Sequence, residues 1–310
     1  MRKMMFQRLL LAGILLPLLV GPVGCNLLEF FGLGDSAIEL LQSDRPRETS
    51  PQVEETELAE LVTGNTSFAF DLYQAVREEA GNLFYSPYSV SLALAMTYGG
   101  ARGETEGQMG TTLHFTLAQD RLHPAFNALD LTLASRGRGA REGFRLNLAN
   151  SIWGQRGYPF LRSFLDVLAE NYGAGLRLLD FESEPEESRL IINDWVSNQT
   201  NGRIQDLLPP GLITPEARLV LTNAIYFKAA WKNPFDEATT HSDQFSLLDG
   251  SQVTMPMMEQ TAQFGYAEGE GYQAVELPYD GDELSMVILL PEAGRFPEFE
   301  SALDADRAQS

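Results

Sequence analysis

The residue types that build reactive centres are scarce in this sequence. It has one cysteine, Cys25, in 310 residues, so neither an intrachain disulfide nor a cysteine metal cluster can form. The histidines are His114, His123 and His241 only, too few for a histidine-rich metal site. Positive charge is also short: 22 Lys and Arg stand against 43 Asp and Glu, for a net charge of −21. That sign argues against nucleic acid and anionic membrane surfaces as partners. No Gly-x-Ser-x-Gly elbow, phosphate-binding glycine loop, HExxH pair or dinucleotide fingerprint occurs. Ser86 could be drawn with His114 or His241 as a hydrolase pair. Ser86 stands directly before Pro87, though, where a serine caps a helix, and both histidines sit in ordinary polar contexts. The chain is read as having no catalytic residues and no cofactor.

What is present suits a folded domain. The apolar share of 44% is enough for a full core. Met1 to Gly24 reads as an export signal, with Arg2, Lys3 and Arg8, then an apolar run from Leu9 to Val20, then small residues. That run is too short for a transmembrane span. Val23-Gly24-Cys25 resembles the end of a bacterial lipobox, although Pro22 stands where leucine is usual. Cys25 is therefore the expected site of lipid attachment, anchoring an exported protein to a membrane outside the cytoplasm, extracellular or periplasmic. Residues 25–63 read as a flexible tether, because Asp35 to Glu60 is rich in acids, serine and proline. The folded domain is expected over 64–310, with Asn65 or Thr66 capping its first helix.

One stretch organises that domain, Asn82 to Met109, reading NLFYSPYSVSLALAMTYGGARGETEGQM. Ser86-Pro87 starts a helix, because proline at the first helical position gives up an N–H with no partner anyway. Val90 to Ala95 is apolar nearly all round, which predicts a buried helix, and Gly99-Gly100 ends it. Ser86 and Ser89 lie three apart at its mouth and require partners. Further on, Pro124 to Ser135 predicts a helix, and the arginines at 136, 138, 141 and 145 a solvated loop. Phe144 to Gln155 and Leu176 to Phe181 predict strands, and Phe160 to Tyr172 and Pro185 to Asn198 predict helices. Leu219 to Phe227 predicts a central strand covered on both faces, with an Asn223 amide that must be hydrogen-bonded. A strand pair turning at Asp249-Gly250 follows, then three strands from Phe264 to Pro291 with a turn at Asp280-Gly281, then a helix from Phe296.

The pattern N-x-F-x-S-P-x-S, then A-M, then G-A-x-G-x-T-x-x-Q-M resembles the signature of the serpin family. So do NDWVSNQTNGRI (193–204), LTNAIYFKAAWKNPF (221–235) and VELPYDGDELSMVILLP (275–291). The resemblance implies an α+β serpin fold of three β-sheets and about nine helices, here incomplete at the C-terminus. It implies inhibition of serine proteases, and sometimes cysteine proteases, by a suicide route. The protease cleaves an exposed loop, and the loop then inserts as a new strand into the central sheet. Carried over residue by residue, Asn82, Ser86, Ser89 and Asn223 match the family's shutter beneath the parting strands. Trp231 matches the breach at the top of the sheet, with simple core packing as the other reading. Gly100 and Thr105 match turn and cap positions. The reactive-centre bond is expected to be absent from this chain, which alone would then not inhibit. A complementary C-terminal fragment is a candidate partner, and the alternative is an exported scaffold or binding lipoprotein reusing the fold.

Overall fold

A computed structural model describes residues 38–79, 81–136 and 144–309. The export signal, Cys25 and the first part of the tether lie outside the described residues, as do Arg138 and Arg141 of the arginine loop. In chain order the elements are β1 (Glu39–Leu41), α1 (Glu55–Val76), α2 (Pro87–Tyr98), α3 (Glu104–Thr112), α4 (Gln119–Ser135) and β2 (Arg145–Gln155). Next come α5 (Arg162–Tyr172), β3 (Leu176–Leu179), α6 (Pro185–Gln199), β4 (Leu219–Lys228), β5 (His241–Ser246) and β6 (Gln252–Met257). The last are β7 (Gly265–Gly269), β8 (Tyr272–Pro278), β9 (Ser285–Pro291), α7 (Phe296–Ser301) and α8 (Ala305–Gln309). The fold is α+β, with three sheets and eight α-helices among the described residues.

The four-stranded sheet has the order β1-β3-β2-β4. β2 and β3 run parallel through the crossover helix α5, and β4 returns antiparallel to β2, with Asn150 opposite Asn223. The other two sheets are the hairpin β5-β6 and the meander β7-β8-β9. One face of the large sheet packs on α2 and α5 through Ile152, Leu176, Ala93, Met96 and Leu168. The other packs under α6, where Trp153 meets Trp195 edge-on at 5.6 Å and donates to Thr222 Oγ1 at 3.0 Å. The NDW motif has a clear task here. Asn193 closes both backbone groups of Leu208, donating to its carbonyl at 3.0 Å and accepting its N–H at 2.8 Å. That pins the loop after α6 beneath the sheet.

Most elements fall where the sequence places them, because the period and the stop signals agree. Gly173 ends α5 at φ 60, a left-handed conformation that a glycine adopts without strain. Four expectations need correction. The tether reading ends before Ile38. β1 pairs with β3, and α1 begins at Glu55 with Leu61 buried against Phe68. The acids there were a misleading signal, since the Glu57 carboxylate is held by the Arg121 guanidinium. Asn65, expected as a cap, consequently lies inside α1. β4 is also not a central strand: α2 and α6 cover its two faces, but one of its edges is unpaired among the described residues, and most of it is half-buried. Lastly, α4 starts five residues before Pro124, so the proline lies inside the helix and removes one N–H from its hydrogen-bond ladder.

Candidate functional site

The N-terminus of α2 meets β4 and β2 in a neutral polar cluster. Ser86 caps α2, its Oγ accepting the Ser89 N–H at 3.2 Å. Pro87 fixes the first turn behind it. Ser89 is fully buried and turned to the sheet. The Asn223 side-chain amide donates to the Ser89 carbonyl at 2.9 Å, and to Ser89 Oγ and Asn150 Oδ1 at 2.5 Å each. Asn150 and Asn223 are direct partners across β2 and β4, so the bond between them spans neighbouring strands on one face. On the far side of α2, buried Ser91 donates to Asn65 Oδ1 at 2.5 Å. Two amide nitrogens, Asn150 Nδ2 and Asn65 Nδ2, are buried without a partner.

A cluster made only of serine and asparagine carries no net charge, so it can hold a helix against a strand without a salt- or pH-dependent contact. It is also costly to dismantle, because each buried polar group stripped of its partner costs about 1–3 kcal/mol. Of the four residues matched to the shutter, the structure joins Ser86, Ser89 and Asn223. Asn82 is exposed and stands outside the hydrogen-bonded cluster. Sequence reasoning missed Asn150, Ser91 and Asn65. Asn150 was legible in principle: an asparagine inside an alternating strand, with a second asparagine inside the strand that pairs with it.

Trp231 lies past the end of β4 and forms an isolated bridge with Tyr279 at the end of β8. The two rings stack at 4.7 Å and 14°. Phe227 meets Tyr279 edge-on at 5.2 Å, and the Asp280 N–H donates to the Ala230 carbonyl at 2.8 Å. This aromatic knot ties β4 of the large sheet to the turn between β8 and β9, so packing is part of its role. Gly100 faces Phe164 of α5, where a Cβ would come within 3.3 Å, so it serves close helix packing. Thr105 is not a cap; that position falls to Gly103. Ser86 is engaged as a cap, and the histidines are bound elsewhere, His114 to Asp71 and His241 to the Thr239 carbonyl. Among the described residues no helix is long and apolar enough to cross a membrane.

Comparisons with known proteins agree with this geometry. The family model described as Serpin (serine protease inhibitor) matches residues 63–310. An uncharacterized serpin-like protein of Thermococcus kodakarensis is 41% identical over 247 residues, covering 79% of this chain and 56% of that protein. Leukocyte elastase inhibitor of Homo sapiens is 41% identical over 239 residues, covering 76% of this chain and 62% of its own. The chain thus spans less than two thirds of the length of these relatives. Among solved structures, emu ovalbumin superposes with a TM-score of 0.74 at 29% identity, over 81% of this chain and 68% of that one. Family model, relatives and fold converge with the Ser86–Ser89–Asn223 geometry: the chain belongs to the serpin family.

Proposed function

We propose that this chain carries the sheet and shutter of an exported serine-protease inhibitor that acts by inserting a cleaved loop beside β4. The observation that carries the reading is the Asn223–Ser89–Asn150 cluster. It ties α2 to β4 beside the strand edge that has no partner among the described residues. A strand added there gains a full ladder of backbone hydrogen bonds, which is the driving force such a mechanism needs. The bonds that hold β4 on α2 set how readily that edge becomes available. Trp231 and Tyr279 guard one end of the same strand, the position expected of a breach. In this reading Cys25 bears a lipid and holds the inhibitor at a membrane outside the cytoplasm. A serine protease is the partner, and elastase-like enzymes are the first to try, given the name of the human relative.

The test incubates pancreatic elastase with the chain alone and with the chain joined to the C-terminal remainder of leukocyte elastase inhibitor. The expected result is a complex stable in SDS, at the summed mass, for the joined chain. If the added loop is cleaved and elastase stays fully active, the inhibitory reading fails. A scaffold without inhibition then takes its place. Export and lipidation are checked separately, by radiolabelled palmitate incorporation in a bacterial host and its loss in Cys25→Ala.

A further inference from the structure

The segment preceding α1 lies before the family match begins at residue 63, and it is laid on the domain in a particular way. β1 adds antiparallel to the outer edge of β3, with Glu39 opposite Leu178 and Leu41 opposite Leu176. From there to Gln52 the chain crosses α5 and α4 by polar contacts. The Ser43 hydroxyl donates to Asp166 of α5. Arg45 pairs with Glu170 at 2.5 Å and Asp166 at 3.5 Å. Arg47 donates to Asn127 Oδ1 at 2.9 Å and pairs with Asp130 of α4 at 2.5 Å. The Asn127 amide donates in turn to the Glu48 carbonyl at 2.7 Å, and the Glu48 N–H donates to the Glu170 carbonyl at 2.9 Å.

The receiving face is built for this traffic. Asn127 is wholly buried, and both ends of its amide are satisfied by the segment rather than by the domain. A Cβ on Gly175 would fall 2.7 Å from Gln42 Cβ and 2.9 Å from the Leu41 carbonyl, so only glycine lets the backbone pass so close. The segment itself is surface-laid. Gln42, Asp44 to Pro46 and Glu48 to Ser50 are exposed, and a cavity of about 570 Å³ remains between it, Pro124 and Asn171. Docked peptides look like this: a short run of strand pairing for affinity, and alternate side chains read by fixed partners for specificity.

We propose that α4, α5 and the outer edge of β3 form a peptide-recognition groove, filled in this chain by its own residues 38–52. The groove reads an extended segment carrying one hydroxyl and two guanidinium groups at alternate positions. Here those are Ser43, Arg45 and Arg47. The acidic residues sit on two helices, so their spacing is set before the ligand arrives. The recognition is local: the segment carries Glu39, Asp44 and Glu48 as well as Arg45 and Arg47, so the groove's acids read the two guanidinium groups and not the segment's overall charge. Occupied, the groove clasps α4, α5 and β3 together; emptied, it leaves Asn127 without either partner.

The experiment uses the full chain, the double variant Arg45→Glu with Arg47→Glu, and a fluorescein-labelled synthetic peptide of residues 38–53. The variant should release its own segment, seen as at least tenfold faster amide exchange over 42–52 with β2 unchanged. It should then bind the peptide, at least tenfold more tightly than it binds a peptide with both arginines reversed to glutamate. Binding should weaken with added salt, as exposed ion pairs do. The unaltered chain, its groove filled, should bind neither. The inference is overturned if the variant keeps its segment protected, or releases it and binds no peptide. Should the variant not fold, exchange in the unaltered chain decides. Amides of 42–52 opening at least tenfold faster than those of β2 support a docked ligand. Equal protection means an inseparable part of the core and overturns it.

Discussion

Acid should destabilise this protein through one buried histidine. His123 of α4 is 3% exposed. Its Nδ1 meets the Tyr172 hydroxyl at 2.7 Å, while its Nε2 has no partner and lies against Gly99. Tyr98 and Tyr172 flank the ring at 6.3 and 5.8 Å, and the nearby charge is Arg102, of the wrong sign to help a cation. Burial first, and Arg102 second, push His123 down to about 4 from an ordinary 6.5. The neutral ring is what the fold accepts. The stability it contributes is therefore whole above pH 6.5 and is lost as pH falls towards 4. At about 1.4 kcal/mol per unit, the loss is about 2 kcal/mol by pH 5 and about 3 kcal/mol by pH 4. The carboxylates held below their usual range, such as Glu57 beside Arg121 and Glu186 beside Arg189, act at lower pH than most of this window. Urea unfolding from pH 7.5 to 4.5 should show the unaltered chain falling faster than His123→Leu by roughly this amount. The reasoning is refuted if the two curves run parallel, or if proton NMR finds the His123 ring titrating near 6.5. With three histidines in the chain, that assignment is simple.

Asn223→Ala should cost about 1–3 kcal/mol in urea unfolding, because Ser89 and Asn150 lose their shared donor. Exposed Asn82→Ala should stay within about 0.5 kcal/mol, and a larger effect would return Asn82 to the cluster. Gly154→Ala places a methyl 2.7 Å from Phe160 and 2.8 Å from Leu176. It should lower stability by about 1–3 kcal/mol, read as a drop in the thermal midpoint. Ile288 and Leu290 of β9 are 43% and 61% exposed, on the face of their sheet that also exposes Tyr266. Ile288→Lys with Leu290→Lys should shift sedimentation towards monomer, and unchanged self-association would show that this face is not the sticky one.

Much of the fold was legible because local and global signals agree. The Ser86-Pro87 start, the Gly173 stop and the Asp249-Gly250 turn are each set by a few adjacent residues. The site was legible only by halves. Ser89 and Asn223 are recognised from their motifs, but the bond to Asn150 depends on the register of β2 against β4, which no single stretch encodes. Asn82 sits in the same motif, yet the chain turns it to solvent. The segment from Ile38 to Gln52 was the least legible. Its composition is that of a disordered spacer, and it becomes ordered only because Asp130, Asp166 and Glu170 stand far along the chain to receive it.

That distance bears on how the molecule assembles. Ser43 waits for a residue 123 positions later, Arg45 for one 125 later, and Arg47 for one 80 later. At about 5–20 residues per second of synthesis, the first of these partners, Asn127, appears roughly 4–16 s after the segment, and the last, Glu170, roughly 6–25 s after it. Through that interval the earliest-made part of the domain has nothing to bind. α1, α2 and α4 can collapse on one another meanwhile, but the edge of β3 does not yet exist. The segment is made early and settles only once β3 exists, so its docking reports that α4, α5 and β3 have reached their final arrangement.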